Sequence, residues 1–279
     1  MSPHPPPGSG RSRPPFGQPA GSGLSANPFP PTPPAPTMRD GVVLVDARDP
    51  EDRPPSPPGD PLPGATRSVV LQVRLLDEND RRAADNRAFL QAHGIRAVNL
   101  VSSPGSGNTT LLGRTLDALA GEIRCAVLVG DLETDNDARR LRREGLPVAQ
   151  ITTGGTCHLD ATMVARGIAA LPLDGVRLLF IENVGNLVCP ASFDLGENRR
   201  ITLLAATEGE DKPLKYPPIF TSAHAVIVNK IDLAAAVGFD RAAALANVRR
   251  MAPLAEVFEL SARTGEGIDR WLAYLRALV

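Results

Sequence analysis

From residue 68 onward, short apolar runs alternate with longer stretches in which apolar positions recur every three or four residues. The runs at 95–101, 124–130, 148–151, 176–181, 201–207, 225–228 and 256–260 predict buried strands. The run at 176–181 is almost continuously apolar, as a parallel strand covered on both faces should be. Helical spacing predicts helices over 109–119 and 161–170, and a closing helix whose core face carries Trp271, Leu272 and Leu275. Leu71, Leu75, Leu76, Ala83, Ala84, Ala88, Phe89 and Ala92 predict one or two amphipathic helices over 69–93, with Gly94 as C-cap. Asn79, Asn86 and Arg87 on that stretch read either as anchors or as solvated polar residues. Strands alternating with helices predict an α/β domain with a mostly parallel central sheet flanked by helices.

The region before residue 68 lacks this pattern. Of the 28 prolines, 20 precede residue 67, and Gly/Ser pairs fill the gaps, so residues 1–67 are expected to be a disordered Pro/Gly-rich arm. Residues 41–47 interrupt it as a brief apolar segment able to form a strand. Residues 68–279 then form the folded domain. A net charge of −1 gives no electrostatic reason to expect nucleic acid or an acidic membrane as partner. No apolar run approaches a membrane span, and the proline tract occupies the place of a secretion signal, which makes the cytoplasm the expected location.

Between the first predicted strand and the helix after it lies Ser102-Ser103-Pro104-Gly105-Ser106-Gly107-Asn108-Thr109-Thr110. A glycine-rich turn joining a buried strand to a helix cradles phosphate with backbone N–H groups, which makes Gly105, Ser106, Gly107, Asn108, Thr109 and Thr110 candidate nucleotide contacts and Thr109 a magnesium ligand. The fold expected is therefore a P-loop nucleotide-binding fold. Asn108 stands where such loops carry lysine, so binding is expected to survive better than catalysis. Asp131, at the end of the second strand, is a candidate for ordering magnesium or its waters, or else a cap for a helix over 135–143. Glu182, followed by Gly185 after a buried strand, matches the position from which nucleotide switches contact magnesium and sense the γ-phosphate. Asp131 and Glu182 are thus the candidate catalytic and magnesium-holding carboxylates.

Asn229-Lys230-Ile231-Asp232 follows the strand at 225–228. Asp232 can accept from both N1–H and the 2-amino group of guanine, with Asn229 supporting the loop and the Lys230 stem lying on the ring. Adenine lacks that donor pair, so GTP and GDP are the expected ligands. Ser261 and Ala262, after the last strand, present backbone toward guanine O6.

Three cysteines do not make a disulfide scaffold. Cys125 reads as a small core hydrophobe on its apolar strand. Cys157, His158 and Cys189 lie instead in polar, glycine-rich loops after strands, a soft-to-borderline donor set suited to Ni²⁺ or Zn²⁺. Three donors are one short of a closed tetrahedral site, which a symmetric dimer pooling two such loops would complete.

Taken together, residues 99–112, 154–160, 182–190 and 207–217 resemble the HypB family of nickel-insertion GTPases of [NiFe]-hydrogenase maturation, and the resemblance runs from about Leu71 to the C-terminus. It implies a GTP-dependent homodimer holding nickel or zinc near its interface, at the Cys157, His158 and Cys189 positions. It also implies a maturation partner that co-delivers nickel and a hydrogenase large-subunit precursor as recipient. Two features depart from the family. The arm has no cysteine and a single histidine, His4, so an N-terminal nickel-binding or storage role does not carry over. The family's lysine is Asn108 here, either an isolated change or the mark of a non-hydrolysing form, a nucleotide-binding metal scaffold or storage protein.

Overall fold

The computed structural model describes residues 37–47, 64–132 and 136–279, with the side chains of the first helix described from residue 75. The rest of the expected arm, residues 1–36 and 48–63, lies outside the described residues.

The strands are β1 (Thr37–Arg39), β2 (Val42–Asp46), β3 (Arg96–Ser102), β4 (Cys125–Asp131), β5 (Val148–Thr152), β6 (Leu178–Glu182), β7 (Arg199–Ala205), β8 (Ala225–Asn229) and β9 (Glu256–Glu259). They form one sheet in the order β1-β2-β5-β4-β6-β3-β7-β8-β9. Only β1 against β2 is antiparallel. The helices are α1 (Gly64–Ala92), α2 (Asn108–Leu119), α3 (Asn136–Leu141), α4 (Ala161–Ala170), α5 (Lys212–Lys215), α6 (Pro217–Thr221), α7 (Arg241–Met251) and α8 (Ile268–Arg276).

The strand alternation divides the core by face. Val98 and Leu100 of β3 point with Val127, Val129 and Phe180 toward Leu111, Leu112 and Leu116 of α2 and Trp271 and Leu275 of α8. Ala97, Ala126, Leu128, Leu179 and Ile181 point the other way, toward Leu90 of α1 and Val164 and Ile168 of α4. Trp271 is buried and donates its indole N–H to Thr115 Oγ1 at 3.0 Å, so this aromatic closes the core without an unpaired donor.

The sheet departs from expectation at its first edge. Residues 37–46 form a hairpin whose second strand pairs with β5, Val43 opposite Ala149 and Val45 opposite Ile151, so the expected boundary at residue 67 is too late. Val42 and Val43 are buried, and a short strand gains stability by capping an otherwise open parallel edge. Residues 69–93 form part of one helix, which begins at Gly64. It ends as expected at Gly94, where the Gly94 amide donates to Gln91 O at 3.1 Å and the Ile95 amide to Leu90 O at 2.9 Å. Asn79, Asn86 and Arg87 are anchors. Asn79 bonds Asp194 O and the Ala161 amide, Asn86 bonds Ala161 O and Leu195 O, and Arg87 pairs with Asp194 at 2.6 Å. The charged stretch after β7 contains α5 and α6, both with proline in the first helical positions, where a fixed φ and a missing N–H cost nothing.

Candidate functional site

The β3 strand lies between β6 and β7, so its loop opens at the carboxyl edge where the connections diverge to either side. Residues 102–109 leave it as a tight turn, with Gly105 and Gly107 at φ of 77° and 98°. A Cβ on Gly107 would stand 2.6 Å from Asn229 Nδ2, so this position requires glycine for space as well as conformation. The loop ends in the first turn of α2, whose backbone N–H groups face a cavity of about 510 Å³. Gly105, Ser106, Gly107, Asn108, Thr109, Thr110, Asp131, Glu182 and Lys230 all line that cavity.

Glu182, the last residue of β6, is buried, and its Oε1 accepts a 2.7 Å bond from Thr109 Oγ1. Burial lifts its pKa to about 7, and nearby Asp137 and Asp131 push the same way against Thr109 and Arg140. Its Oε2 is buried with no hydrogen-bond partner among the described residues. A buried acceptor beside a hydroxyl at a phosphate cradle has the chemistry to hold Mg²⁺, so Thr109 and Glu182 fit that ion. Asp131 closes β4 opposite Thr152 and lines the same cavity. The helix after it is α3, shorter than the expected 135–143, and residues 133–135 lie outside the described residues.

Asn229 is the keystone on the base side. Its Nδ2 donates to Ser106 O at 2.9 Å and its Oδ1 accepts from the Ala262 amide at 3.0 Å, so one buried amide joins the phosphate loop to the last loop. The Ala262 amide, expected to face guanine, is engaged by Asn229 here. Lys230 sits at φ 60° and donates to Gly105 O at 2.6 Å, which lays its stem across the loop. Asp232 Oδ1 is buried without a partner among the described residues, as an acceptor that serves a ligand donor would be. Ser261 is buried, its Oγ accepting from the Thr264 amide at 3.0 Å. Ala262 lines a second cavity of about 740 Å³ that shares Thr109, Thr110 and Arg140 with the first.

The ligand atoms of Cys157, His158 and Cys189 all lie within 4.8 Å of one another. The Cys157 and Cys189 sulfurs are 3.0 Å apart and both thiols are free. His158 stacks on Phe193 with ring centroids 3.9 Å apart, and burial holds its pKa below the usual imidazole value, which favours the neutral, metal-binding ring. The Cys157 thiol is pushed up chiefly by its S–H bond to Cys189 Sγ, which favours the protonated form, with burial and the nearby Cys189 charge adding to the shift. Cys125 is buried in the core and pushed up to about 12 by that burial, as its strand position predicted.

Sequence reading missed the polar links between these two sites. Asn183, next to Glu182, accepts from the Leu159 amide at 3.1 Å, one residue past His158, and donates to Asn99 Oδ1 at 3.4 Å. Asn186 donates to Cys157 O at 3.1 Å. The buried Arg200–Glu197 pair, 2.8 Å apart, continues the network by donating to the Ala191 and Phe193 carbonyls just after Cys189. Sequence reading also missed Asp137 and Arg140, which line the phosphate cavity from α3. The signal available was their place just after the strand that ends in Asp131.

Residues 96–259 match the CobW/HypB/UreG nucleotide-binding domain. The hydrogenase maturation factor HypB of Escherichia coli K12 is 50% identical over 219 residues, 78% of this chain and 76% of that protein. HypB of Azotobacter vinelandii is 51% identical over 216 residues, covering 76% and 71%. Among solved structures, HypB of Archaeoglobus fulgidus superposes with a TM-score of 0.67 at 39% identity, over 72% of this chain and 98% of that one. HypB of Helicobacter pylori, solved in complex with nickel, gives 0.67 at 37% identity, over 72% and 94%. The fold and most of the sequence are thus shared with these proteins, and the chain belongs to the HypB family of hydrogenase maturation factors.

Proposed function

We propose that this chain is a guanine-nucleotide switch that binds GTP, hydrolyses it slowly, and ties the nucleotide state to the holding of Ni²⁺ or Zn²⁺ as cargo for hydrogenase maturation. The observation that carries the reading is the place of β6 and its loop. The strand ends on Glu182 in the phosphate cavity, and the segment leaving it reaches Cys189 in the metal cluster. Any movement of the Glu182 end is transmitted to Cys189, and through Asn183 to the Cys157-His158 turn.

In the proposed reaction, water attacks the γ-phosphate and GDP leaves. Thr109 and Glu182 would hold Mg²⁺, which when bound neutralises charge on the phosphate oxygens. The loop amides and the N-terminus of α2 orient the phosphates, Asp232 selects guanine, and Asp131 orders the water or ion beside the γ-phosphate. Cys157, His158 and Cys189 supply three donors per subunit, and a homodimer would bring two such sets together. The partners proposed are a nickel-delivering maturation protein and the hydrogenase large-subunit precursor.

Asn108 favours a second reading, in which the chain binds nucleotide and metal without turnover. It is buried in the phosphate loop where a lysine would place a charge, and an amide is neutral whichever atom faces the cavity. Nucleotide titration and single-turnover hydrolysis with the full chain and magnesium separate the two readings. GTP bound and consumed supports the switch; GTP bound and never consumed supports the scaffold; no guanine nucleotide bound removes both.

A further inference from the structure

We propose that Arg140 is the catalytic cation of this chain, reaching the β- and γ-phosphates in place of the charge that Asn108 does not supply. The inference rests on the reading of the phosphate cavity as a GTP site. Among the described residues, the cations lining that cavity are Lys230 and Arg140. Lys230 is committed to Gly105 O on the base side of the loop. Arg140, on α3, lines the same cavity as Asn108, Asp137, Asp131 and Glu182.

Three observations favour Arg140 over its neighbours. Its ion pair with Asp137 is long, 3.6 Å, and its side chain is 68% exposed, so the guanidinium is held weakly and is free to swing. Arg143 is occupied by Asp117 at 2.6 Å, and Arg114 donates to Arg263 O and lines only the neighbouring groove. Arg140 lines both cavities, and its charge already acts on the buried Glu182 carboxyl, lowering the pKa that burial raises. A triphosphate brings far more negative charge than Asp137 and would draw the guanidinium across the mouth. Arginine supplied in cis is an established solution in nucleotide switches, where it offsets charge in the transition state.

The step balances without proton transfer to Arg140. The water oxygen bonds to phosphorus, the β–γ bridging oxygen leaves with the electron pair of the broken bond, and the water proton ends on inorganic phosphate. Arg140 donates N–H groups to the oxygens where negative charge builds, in the bidentate manner a guanidinium allows.

The test is a cycle of Arg140→Ala and Asn108→Lys in the full chain, with Arg140→Lys as the conservative variant. Single-turnover GTP hydrolysis and affinities for GDP and a non-hydrolysable GTP analogue are read for each. In the native background Arg140→Ala should slow hydrolysis about thirtyfold or more and weaken the analogue about tenfold, with GDP changed less than about threefold. Arg140→Lys should recover much of the rate. With lysine at 108, the same Arg140→Ala change should cost only about fivefold, because the charge is then supplied twice. Equal losses in both backgrounds, or hydrolysis and analogue affinity unmoved by Arg140→Ala, would overturn the proposal while leaving the GTP site intact. If native turnover is too slow to measure, the analogue-to-GDP affinity ratio decides by the same criterion. If neither the native chain nor Asn108→Lys binds guanine nucleotide, the GTP reading itself falls and takes Arg140 with it.

Discussion

Thr109 Oγ1 donates to Glu182 Oε1 at 2.7 Å, joining the first turn of the helix after the phosphate loop to the last residue of the neighbouring strand. This bond satisfies one oxygen of a buried carboxyl, and the other is unpartnered among the described residues. On the proposed reading, this hydroxyl and carboxylate would turn together onto Mg²⁺.

A pH dependence follows from this pair. Burial raises the folded-state pKa of Glu182 to about 7, so between its ordinary value and 7 the folded chain binds a proton that the unfolded chain has lost. The contribution is therefore fully present below the ordinary carboxyl pKa and is lost as pH rises through 7, by about 3 kcal/mol over the window. Denaturant unfolding of the nucleotide-free, magnesium-free chain should show native stability falling relative to Glu182→Gln between pH 5 and pH 8. Parallel pH profiles for the two proteins would mean that Glu182 titrates as an exposed carboxyl does.

Base selectivity tests the other end of the site. Asp232 Oδ1 is buried without a partner among the described residues, and guanine offers the two donors it needs. GDP should bind at least about tenfold tighter than ADP, and Asp232→Asn should erase most of the difference, since a charge-assisted hydrogen bond contributes about 1.5 to 3 kcal/mol. Calorimetric titration giving equal affinities for the two nucleotides in the native chain contradicts the assignment.

The three cysteines should separate cleanly. Cys157 and Cys189 are half-buried and face each other, whereas Cys125 is packed in the core with its thiol pushed up to about 12. Cys157→Ala or Cys189→Ala should weaken Ni²⁺ or Zn²⁺ binding by about a hundredfold and remove the metal-dependent part of dimerisation. Cys125→Ala should leave stoichiometry unchanged. Sedimentation with and without metal reads both effects, and an unaffected Cys189 variant would remove that loop from the site.

What could be read from the chain alone was what chemistry makes local. Asn229, Lys230 and Asp232 follow directly on one apolar run, and Glu182 and Asp131 end others whose strand identity was plain, so their placement at strand ends needed no tertiary information. Cys157, His158 and Cys189 were legible as a set because the two cysteines lie in polar, glycine-rich loops where a core thiol would not be, and His158 is the adjacent donor. The insertion of β6 between β3 and β4 was not legible, because no residue of an apolar strand names its neighbour. Helix α7 escaped notice because Ala244 and Val248 alone among its residues are buried, and α5 and α6 because prolines read as loop. Arg140 was hidden among Arg139, Arg142 and Arg143, which resemble a solvated face until the fold turns one of them toward the cavity.

Asn183 should couple the two sites. It accepts from the Leu159 amide beside the Cys-His turn and lines the phosphate cavity next to Glu182. Truncating it to alanine leaves the Leu159 amide unpaired and loosens the link, so Asn183→Ala should keep metal and nucleotide each bound within about tenfold while shrinking the effect of nucleotide on metal affinity. Metal titrations in the presence of GDP and of a GTP analogue measure the coupling in both proteins. A coupling ratio unchanged by the substitution would place the connection elsewhere in the loop.

The remaining prediction concerns Asn108 itself. An amide can donate a neutral hydrogen bond to phosphate but cannot carry charge between the β- and γ-phosphates, and that charge matters most as the transferring group approaches its transition state. A preorganised donor of this kind contributes about 3 to 4 kcal/mol, or about 10² to 10³ in rate. On the proposed reading GDP is held chiefly by the loop amides, Thr109 and the residues around Asp232, and the loop's placement does not rest on position 108: Asn229 fixes Ser106, and Lys230 fixes Gly105. An exposed arginine such as Arg140 recovers part of the loss, since it must be ordered from solvent at each turnover, whereas a lysine at 108 would start inside the loop. Asn108→Lys should therefore raise single-turnover GTP hydrolysis at least about thirtyfold and change GDP affinity far less. Hydrolysis by the native chain equal to that of the lysine variant, at saturating nucleotide and magnesium, would mean that the charge at 108 is dispensable in this fold.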